Sequence, residues 1–385
     1  MNTRLSIDVL SPGALSASER AAWRAMTDMS PALRSPFFQL DFALAADGVA
    51  PGASVAVIHR GGELCGFLPF QKRAGGVQPL AAPLCDYNGL VAAPGACIDL
   101  AQVLRLIGAG AYSFGGLVAD VAPEGARCEP YAAMRADVSR GLDAFLADRP
   151  STRKFFKEKA RVWRVAEREL GPLEFQMDDA DGGLIDFVIS RKRDQYRRTA
   201  RHDIFGCRWT ELLLRRLWEN RTDRFGAQIA TLRADGRVIA AELSLRAGGV
   251  RHIWFPTYDP DFARSGPGTL LMIALTKAAA ADPTLSELDY GRAGEDYKRR
   301  YADPSGTVFE GRVEAEGWRR LPSRAADATL AAAPAFQKVA EVRERLRRRL
   351  DIITACETTP AAWLGGAVDA FVTAGRRGPA LAVNG

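Results

Sequence analysis

The sequence lacks the long apolar runs and the leader pattern that direct a chain into or across a membrane. No run of about 18 uncharged apolar residues occurs, so we predict no membrane-spanning helix. The N-terminal stretch MNTRLSIDVLSPGAL has no cationic region followed by an apolar block, so we predict no signal peptide and a cytoplasmic location. The hydrophobic and charged fractions, 47% and 25%, exclude a fibrous or wholly disordered chain.

Histidine is scarce, and the cysteines lack the spacing of a metal site. The six cysteines form no C-x-x-C pair, and the histidines are His59, His202 and His252. We therefore expect no zinc cluster, no disulfide framework and no metal cofactor, and we expect His202 to be structural. A mechanism built on a histidine base is for the same reason a poor first hypothesis.

The net charge of +6 is mild for 385 residues. It suits a phosphate-bearing ligand or an anionic surface as a partner, and it gives no reason to expect DNA. The length predicts two domains, or three with a small one.

Two similar hairpin patterns lie about half a chain apart. Segment 54–70 is an apolar run, a Gly-Gly turn and a second apolar run, and segment 227–245 repeats this around an Asp-Gly turn. A duplicated fold explains both, although hairpins are common and two alone prove nothing. We predict an α/β (α+β) fold with units at 1–150 and 151–315 and a helical, partly disordered tail at 316–385.

A glycine-rich turn stands between an apolar strand that begins near residue 250 and a Leu/Ala-rich helix. Glycines let a ligand approach the backbone, and the first N–H groups and dipole of a helix favour a pyrophosphate. Pro267 removes one donor, and the P-loop pattern is absent. The alternative is a helix start that binds nothing. The candidate ligand-binding residues are Arg264, Ser265, Gly266, Gly268 and Thr269.

The order of these segments resembles the GNAT acyltransferase superfamily, and several motifs resemble its CelD-like, FemAB-related N-acyltransferases. The resemblance covers roughly residues 30–312. It rests on Tyr258-Asp259-Pro260, Ser265-x-x-Gly268, Asp289-Tyr290-Gly291, Glu295-x-Tyr297-Lys298, Ser35-Pro36-Phe37, Asp86-Tyr87 and Gly226. It implies two tandem GNAT-like domains, each a mixed, mostly antiparallel sheet flanked by helices, with a C-terminal helical tail, and acetyl-CoA or another acyl-CoA as co-substrate.

Acyl transfer to an amine needs a proton acceptor, a stabilised oxyanion and a protonated leaving thiolate. Asp289 or Glu295 is the candidate base or amine-orienting group, Tyr297 the candidate acid, and Lys298 the candidate neutraliser of a phosphate or the oxyanion. The resemblance favours Lys298 for catalysis. The alternative makes Asp289 a turn cap and Glu295 with Lys298 a surface pair. Candidate substrate-binding residues are Asp86, Tyr87, Tyr258, Arg197 and Arg198.

Two basic segments widen the choice of partners. Arg197 and Arg198 belong to a cluster that faces either a phosphorylated acceptor, the CoA phosphates or only solvent. The Arg-rich segment at 343–349 belongs to a helix with an apolar stripe. Packing on the core is our first interpretation of this helix. Peripheral attachment to the inner membrane and an Arg site for cyclic di-GMP are the alternatives.

We expect an N-acyltransferase, most simply an acetyltransferase, that acts on a small-molecule or saccharide amine, with an amino sugar of bacterial exopolysaccharide or adhesin synthesis as the acceptor implied by the resemblance. The second hypothesis is aminoacyl transfer from tRNA to a cell-wall precursor. The third is a non-catalytic, nucleotide-binding effector of polysaccharide synthesis.

Overall fold

The computed structural model describes residues 4–73, 76–315 and 337–373, with the backbone alone for 337–345. Parts of the predicted tail, at 316–336 and 374–385, lie outside the described residues. The α-helices are α1 (Ala17–Met29), α2 (Leu40–Ala46), α3 (Leu100–Leu106), α4 (Gly141–Ala147), α5 (Pro150–Leu170), α6 (Leu184–Arg198), α7 (Arg208–Glu219), α8 (Pro267–Ala281), α9 (Gln337–Cys356) and α10 (Pro360–Thr373).

The strands join into one mixed sheet. They are β1 (Leu5–Leu10), β2 (Ala53–Arg60), β3 (Glu63–Arg73), β4 (Gly76–Pro79), β5 (Val91–Ala92), β6 (Ala111–Val118), β7 (Arg127–Asp137), β8 (Leu173–Gln176), β9 (Phe225–Ala234), β10 (Arg237–Ala247), β11 (Val250–Tyr258), β12 (Glu287–Arg292) and β13 (Asp303–Glu314). Their order is β1-β2-β3-β4-β6-β13-β7-β12-β11-β10-β9-β8, with β5 beside β3. This mixed sheet with flanking helices confirms the predicted α/β (α+β) class.

The same plan appears on both sides of the central β13–β7 pair. Each side has an antiparallel hairpin, β2–β3 or β9–β10, as the sequence predicted. Each also has one parallel junction: β4 pairs with β6, and β11 pairs with β12. A crossover helix supplies the connection that parallel strands need, α3 in the first half and α8 in the second. The repetition agrees with a duplicated fold.

The two halves exchange their last strands at the centre of the sheet. β13 comes from the end of the second half, yet it lies between β6 and β7 and pairs antiparallel with both. β7 comes from the first half, yet it pairs with β12. The predicted units 1–150 and 151–315 therefore share one continuous sheet.

Apolar side chains from both halves meet between the sheet and its helices. One core cluster combines Trp23 and Phe37 of the first half with Trp209 and Trp254 of the second. Its burial holds the halves together, since each large aromatic side chain removes much apolar surface from water. Two smaller clusters lie around α3 and α8.

The C-terminal end of α9 packs on this core. Ile353 and Cys356 are each 1% exposed, and the indole N–H of Trp209 donates to the carbonyl of Cys356 at 2.9 Å. The following α10 exposes much of its apolar surface, including Leu364 and Phe371. None of the helices in the described ranges is long and apolar enough to span a bilayer.

Candidate active site

The parallel strands β11 and β12 diverge at the position where the charged groups of the second half collect. They pair over only three residue pairs, and the last of these is His252 with Asp289. Beyond it, β11 continues along β10, and β12 follows β7 toward the pair of Arg292 with Ala133. The separation leaves a gap between two strand ends, a common place for ligands in sheets with parallel pairs.

His252 stands at the start of this gap and is completely buried. Its Nε2 lies 2.8 Å from Asp86 Oδ2, its Nδ1 lies 3.5 Å from Asp289 Oδ1, and its ring meets Phe37 edge-on at 4.9 Å. Burial opposes a charged imidazole, but the adjacent carboxylates of Asp289 and Asp86 outweigh it and raise the pKa of His252 to about 9. His252 is therefore an imidazolium at neutral pH, held between two carboxylates.

Asp289 is also fully buried and serves as the anchor of the group. Its Oδ1 accepts hydrogen bonds from the Tyr87 hydroxyl at 2.8 Å and the Gly291 N–H at 2.7 Å. Arg135 Nε forms an ion pair with its Oδ2 at 3.4 Å. Burial alone raises a carboxyl pKa, but the adjacent, charged His252 and the nearby Arg135 hold the pKa of Asp289 below its usual value. With no exposed surface, Asp289 contacts Tyr87 and His252, and its predicted catalytic role stays a prediction.

Asp86 is the carboxylate of this group that solvent reaches, with its side chain 42% exposed. Two glycines fix its position. A Cβ on Gly116 would lie 1.9 Å from the Asp86 carbonyl oxygen, and a Cβ on Gly291 would lie 3.2 Å from Asp86 Oδ2. Gly291 also has φ +71°, which glycine adopts without strain. The backbone therefore approaches Asp86 closely from both halves.

The predicted ligand-binding turn lies at the head of α8. Gly266 has φ +59°, and its carbonyl accepts the N–H groups of Thr269 and Leu270 at 3.0 and 3.2 Å. The N–H of Thr269, one of the predicted ligand-binding residues, is therefore already hydrogen-bonded within the turn, and the N–H of Gly268 has no intrahelical acceptor. Arg264 is exposed, and Ser265, Gly266, Gly268 and Thr269 are partly exposed.

The Tyr258-Asp259-Pro260 motif holds this turn in place. Asp259 is 2% exposed, and its Oδ2 binds Arg191 of α6 at 3.1 Å and Arg237 of β10 at 2.9 Å. Tyr258 is 41% exposed, and a Cβ on Gly268 would lie 3.6 Å from its ring. Tyr258 is thus a wall of the turn, which places it beside the region predicted to hold a ligand.

The loop after β12 carries the other predicted catalytic residues. Lys298 Nζ donates to the Arg292 carbonyl at 2.9 Å and lies 3.1 Å from Glu295 Oε2, and the Lys298 side chain of this pair is only 13% exposed. Glu295 is half exposed, and Tyr297 is largely buried. Burial, followed by the negative charge of Glu295, raises the pKa of Tyr297 above its ordinary value. The phenol therefore keeps its proton at neutral pH.

Arg197 and Arg198 lie apart from this group, at the exposed end of α6. Arg197 pairs with Asp194 at 3.2 Å, and Arg198 Nε donates to the Asp194 carbonyl at 3.4 Å. Both contacts are local to the helix, as in the alternative of a solvated face. Substrate contact by these two arginines stays a prediction.

Sequence reasoning overlooked His252 and Arg135. His252 sits in the apolar run VRHIWF, where a histidine is unremarkable, and its partners come from distant segments. The available signal was indirect. Three of the motifs that carry the family resemblance meet around His252, namely Ser35-Pro36-Phe37, Asp86-Tyr87 and Asp289-Tyr290-Gly291.

One family model matches the part of the chain that contains β11, β12 and the turn of α8. Residues 153–299 match the family model described as "Acetyltransferase (GNAT) domain". The match lies within the second half of the chain and agrees with the resemblance of its motifs. No curated protein shows significant sequence similarity to the chain.

The solved structures that match the chain are distant from it in sequence. One is the C-terminal domain of a putative lysylphosphatidylglycerol synthetase from Agrobacterium fabrum, at 12% identity and TM-score 0.46, covering 82% of this chain and 97% of that one. A tandem GNAT protein from the clavulanic acid biosynthesis pathway has 13% identity, TM-score 0.47 and coverages of 82% and 99%. FemX has 12% identity, TM-score 0.48 and coverages of 78% and 96%.

Proposed function

We propose that the protein is an N-acyltransferase that moves an acyl group, in the simplest case acetyl, from acyl-CoA to an amino group. The observation that carries the proposal is the GNAT match over 153–299, because that segment contains both the diverging strands β11 and β12 and the glycine turn of α8. An amino sugar of bacterial exopolysaccharide or adhesin synthesis is the acceptor we propose, on the basis of the motif resemblance.

In this proposal the turn and the gap bind the donor. Arg264 supplies positive charge for the CoA phosphates, and the Gly266–Thr269 backbone allows them to approach the helix dipole. The acyl arm enters between β11 and β12 and brings the thioester toward His252.

Asp86 receives the acceptor amine, because it is the exposed carboxylate beside the gap. His252, charged and hydrogen-bonded to Asp86 Oδ2, keeps the carboxylate oriented. The amine loses a proton to Asp86 and attacks the thioester carbonyl, so a C–N bond forms and the C–S bond breaks. Tyr297 donates its proton to the leaving thiolate, and Lys298 offsets the negative charge of the tetrahedral oxyanion.

Thiol release from acetyl-CoA in the presence of de-acetylated glucosamine oligomers tests the proposal. We expect saturable release, and we expect Asp86→Asn to lower kcat/KM about 100-fold through loss of the base. Asp120→Asn, at an exposed position, is the control and should match the wild type. Absence of acetyl-CoA binding in calorimetry would overturn the proposal. Transfer of labelled amino acid from tRNA would favour the aminoacyl-transfer alternative.

The partners suggested for the Arg-rich α9 remain predictions. Arg347 lies 3.0 Å from Asp351, and Arg348 lies 3.0 Å from Glu310 of β13. Titration with cyclic di-GMP and sedimentation with anionic vesicles are separate tests of the nucleotide and membrane hypotheses.

A further inference from the structure

A cluster of metal-ligating side chains lies away from the proposed active site, where the tail meets the second half. A ring nitrogen of His202 and the sulfurs of Cys207 and Cys356 lie within 4.8 Å of one another. His202 follows α6, Cys207 caps the start of α7, and Cys356 is the last residue of α9. Packing of the tail thus brings Cys356 to His202 and Cys207, which lie about 150 residues earlier in the sequence.

Glu357 supplies a fourth donor atom. Its Oε1 lies 3.2 Å from His202 Nε2 and 3.4 Å from Cys207 Sγ. In a tetrahedral zinc site with Zn–S near 2.3 Å and Zn–N near 2.0 Å, the ligand atoms are about 3.5–3.8 Å apart. The observed spacing is therefore within about 1 Å of what zinc needs, and two sulfurs with one imidazole form a donor set that zinc prefers.

The surroundings leave these atoms available to a metal. His202 Nε2 is buried and has no hydrogen-bond partner of good geometry among the described residues. Cys207 and Cys356 are 6% and 1% exposed and are not joined by a disulfide. Solvent would compete little for a metal held by such buried donors.

The charge balance and the support of the cluster also suit a zinc ion. Two thiolates and one carboxylate exceed the charge of Zn²⁺ by one negative unit. Arg73 places a positive charge near this excess negative charge. Its Nη2 donates to the carbonyl of Ala355, next to Cys356, at 3.0 Å. The indole of Trp209 binds the carbonyl of Cys356 itself. These contacts fix the end of α9, as the outer partners of metal sites usually do.

We propose that His202, Cys207, Cys356 and Glu357 bind one zinc ion that fastens the tail helix α9 to the second half. The expectation of no metal came from local cysteine spacing, which carries no information about ligands from separate segments. Since Arg348 of the same helix contacts Glu310 on β13, the ion would also fix α9 against the centre of the sheet.

Metal titration of the full-length, reduced protein tests this proposal. The protein is stripped with a chelator and reloaded with zinc in competition with a chromophoric chelator, and cobalt(II) serves as the spectroscopic probe. We expect one equivalent of metal, a thiolate-to-cobalt charge-transfer band, and slower hydrogen exchange in 346–373 when metal is present. Cys207→Ser and Cys356→Ser should each weaken zinc binding about 100-fold, and Glu357→Gln about 10-fold.

Cys97→Ser is the matched control, because it removes an exposed cysteine outside the cluster and should leave zinc binding unchanged. Equal affinity in the wild type and in Cys207→Ser would overturn the proposal. So would a wild type that shows no thiolate band, or one whose peptide mass map joins Cys207 to Cys356 as a disulfide that metal does not prevent. If the variants fail to fold, the stripped and reloaded wild type still decides the question through stoichiometry and the cobalt band.

Discussion

The two parallel junctions of the sheet occupy equivalent places in the two halves but are completed differently. In the first half, Val77 pairs with Tyr112, and the chain after β4 then returns to fill the space beside β6. There the Asn88 N–H donates to Gly116 at 3.0 Å and its carbonyl accepts from Val118 at 2.8 Å. In the second half, no strand of the described chain pairs with this edge of β11 beyond His252.

The difference shows that the two equivalent gaps can have different roles. The 86–89 loop occupies the first gap and, from there, presents Asp86 and Tyr87 to His252 and Asp289 at the second gap. One gap thus supports the residues that complete the other. Four changes, ordered from the largest expected effect to the smallest, test this division.

Asp289→Asn breaks the connection between the two gaps. It removes a buried negative charge, keeps the side-chain shape and leaves the charged His252 short of a partner, so the free energy of unfolding should fall by about 3 kcal/mol. Urea denaturation of the variant and the wild type measures this difference in the free energy of unfolding. Glu287→Gln, on the same strand and 30% exposed, should change stability by less than about 1 kcal/mol. Equal effects of the two variants would contradict the anchoring role of Asp289.

The pH dependence of stability reports on the charge at the centre of the site. The pKa of His252 is raised to about 9 in the folded protein, against about 6.5 unfolded. Its stabilising contribution is therefore complete below pH 6.5 and is lost as the pH rises through 9. The wild type should lose about 3 kcal/mol more than His252→Gln between these limits. His59→Gln, on β2, is the control, and a wild-type curve parallel to that of His252→Gln would refute the charged imidazole.

Gly116→Ala disturbs the filled gap itself. Its Cβ would meet the Asp86 carbonyl oxygen at 1.9 Å, so the 86–89 loop must move. We expect a loss of about 2 kcal/mol in stability and a larger relative loss of acyl transfer, because Asp86 shifts. The neighbouring Gly115→Ala is the control, since its Cβ would meet nothing within 4 Å. An active, stable Gly116→Ala protein would show that the loop position is unimportant.

Gly268→Ala tests the turn at the head of α8, on the side of the sheet where the gap between β11 and β12 stays open. Its Cβ would meet only the Tyr258 ring, at an ordinary 3.6 Å, so stability should hardly change. The added methyl group stands where we propose that the CoA phosphates approach the backbone, and acetyl-CoA binding should weaken about 10-fold by calorimetry, or about 1.4 kcal/mol. Gly110→Ala, in the first half, should bind normally. Unchanged binding by Gly268→Ala would move the donor away from this turn.

The sequence predicted those parts of the fold whose signals are local. Both hairpins, the long helices α5 and α8 and the glycine turn carry periodicity or turn residues that need no distant partner. β7 escaped prediction because its sequence, RCEPYAAMRAD, contains a proline and shows little alternation of burial. Its strand conformation depends on pairing with β12 and β13, which flank it, and no local pattern reveals this pairing.

The sequence motifs identified individual residues of the candidate site, but they did not predict the role of each residue. Asp86, Tyr87 and Asp289 were selected, and they do come together. Their assigned roles depended on exposure, which sequence does not provide: Asp289 is buried, whereas Asp86 reaches solvent. The charge on His252 likewise arises only from carboxylates that the fold brings to it.

The exchange of β7 and β13 also constrains the order in which the protein forms. As the chain is synthesised, β6 and β7 appear long before β13, which must later insert between them. Until then both strands present unpaired edges, which are the usual starting points of aggregation. A nascent chain that stalls before residue 303 lacks this closing strand altogether, so completion of the sheet is coupled to near-completion of translation.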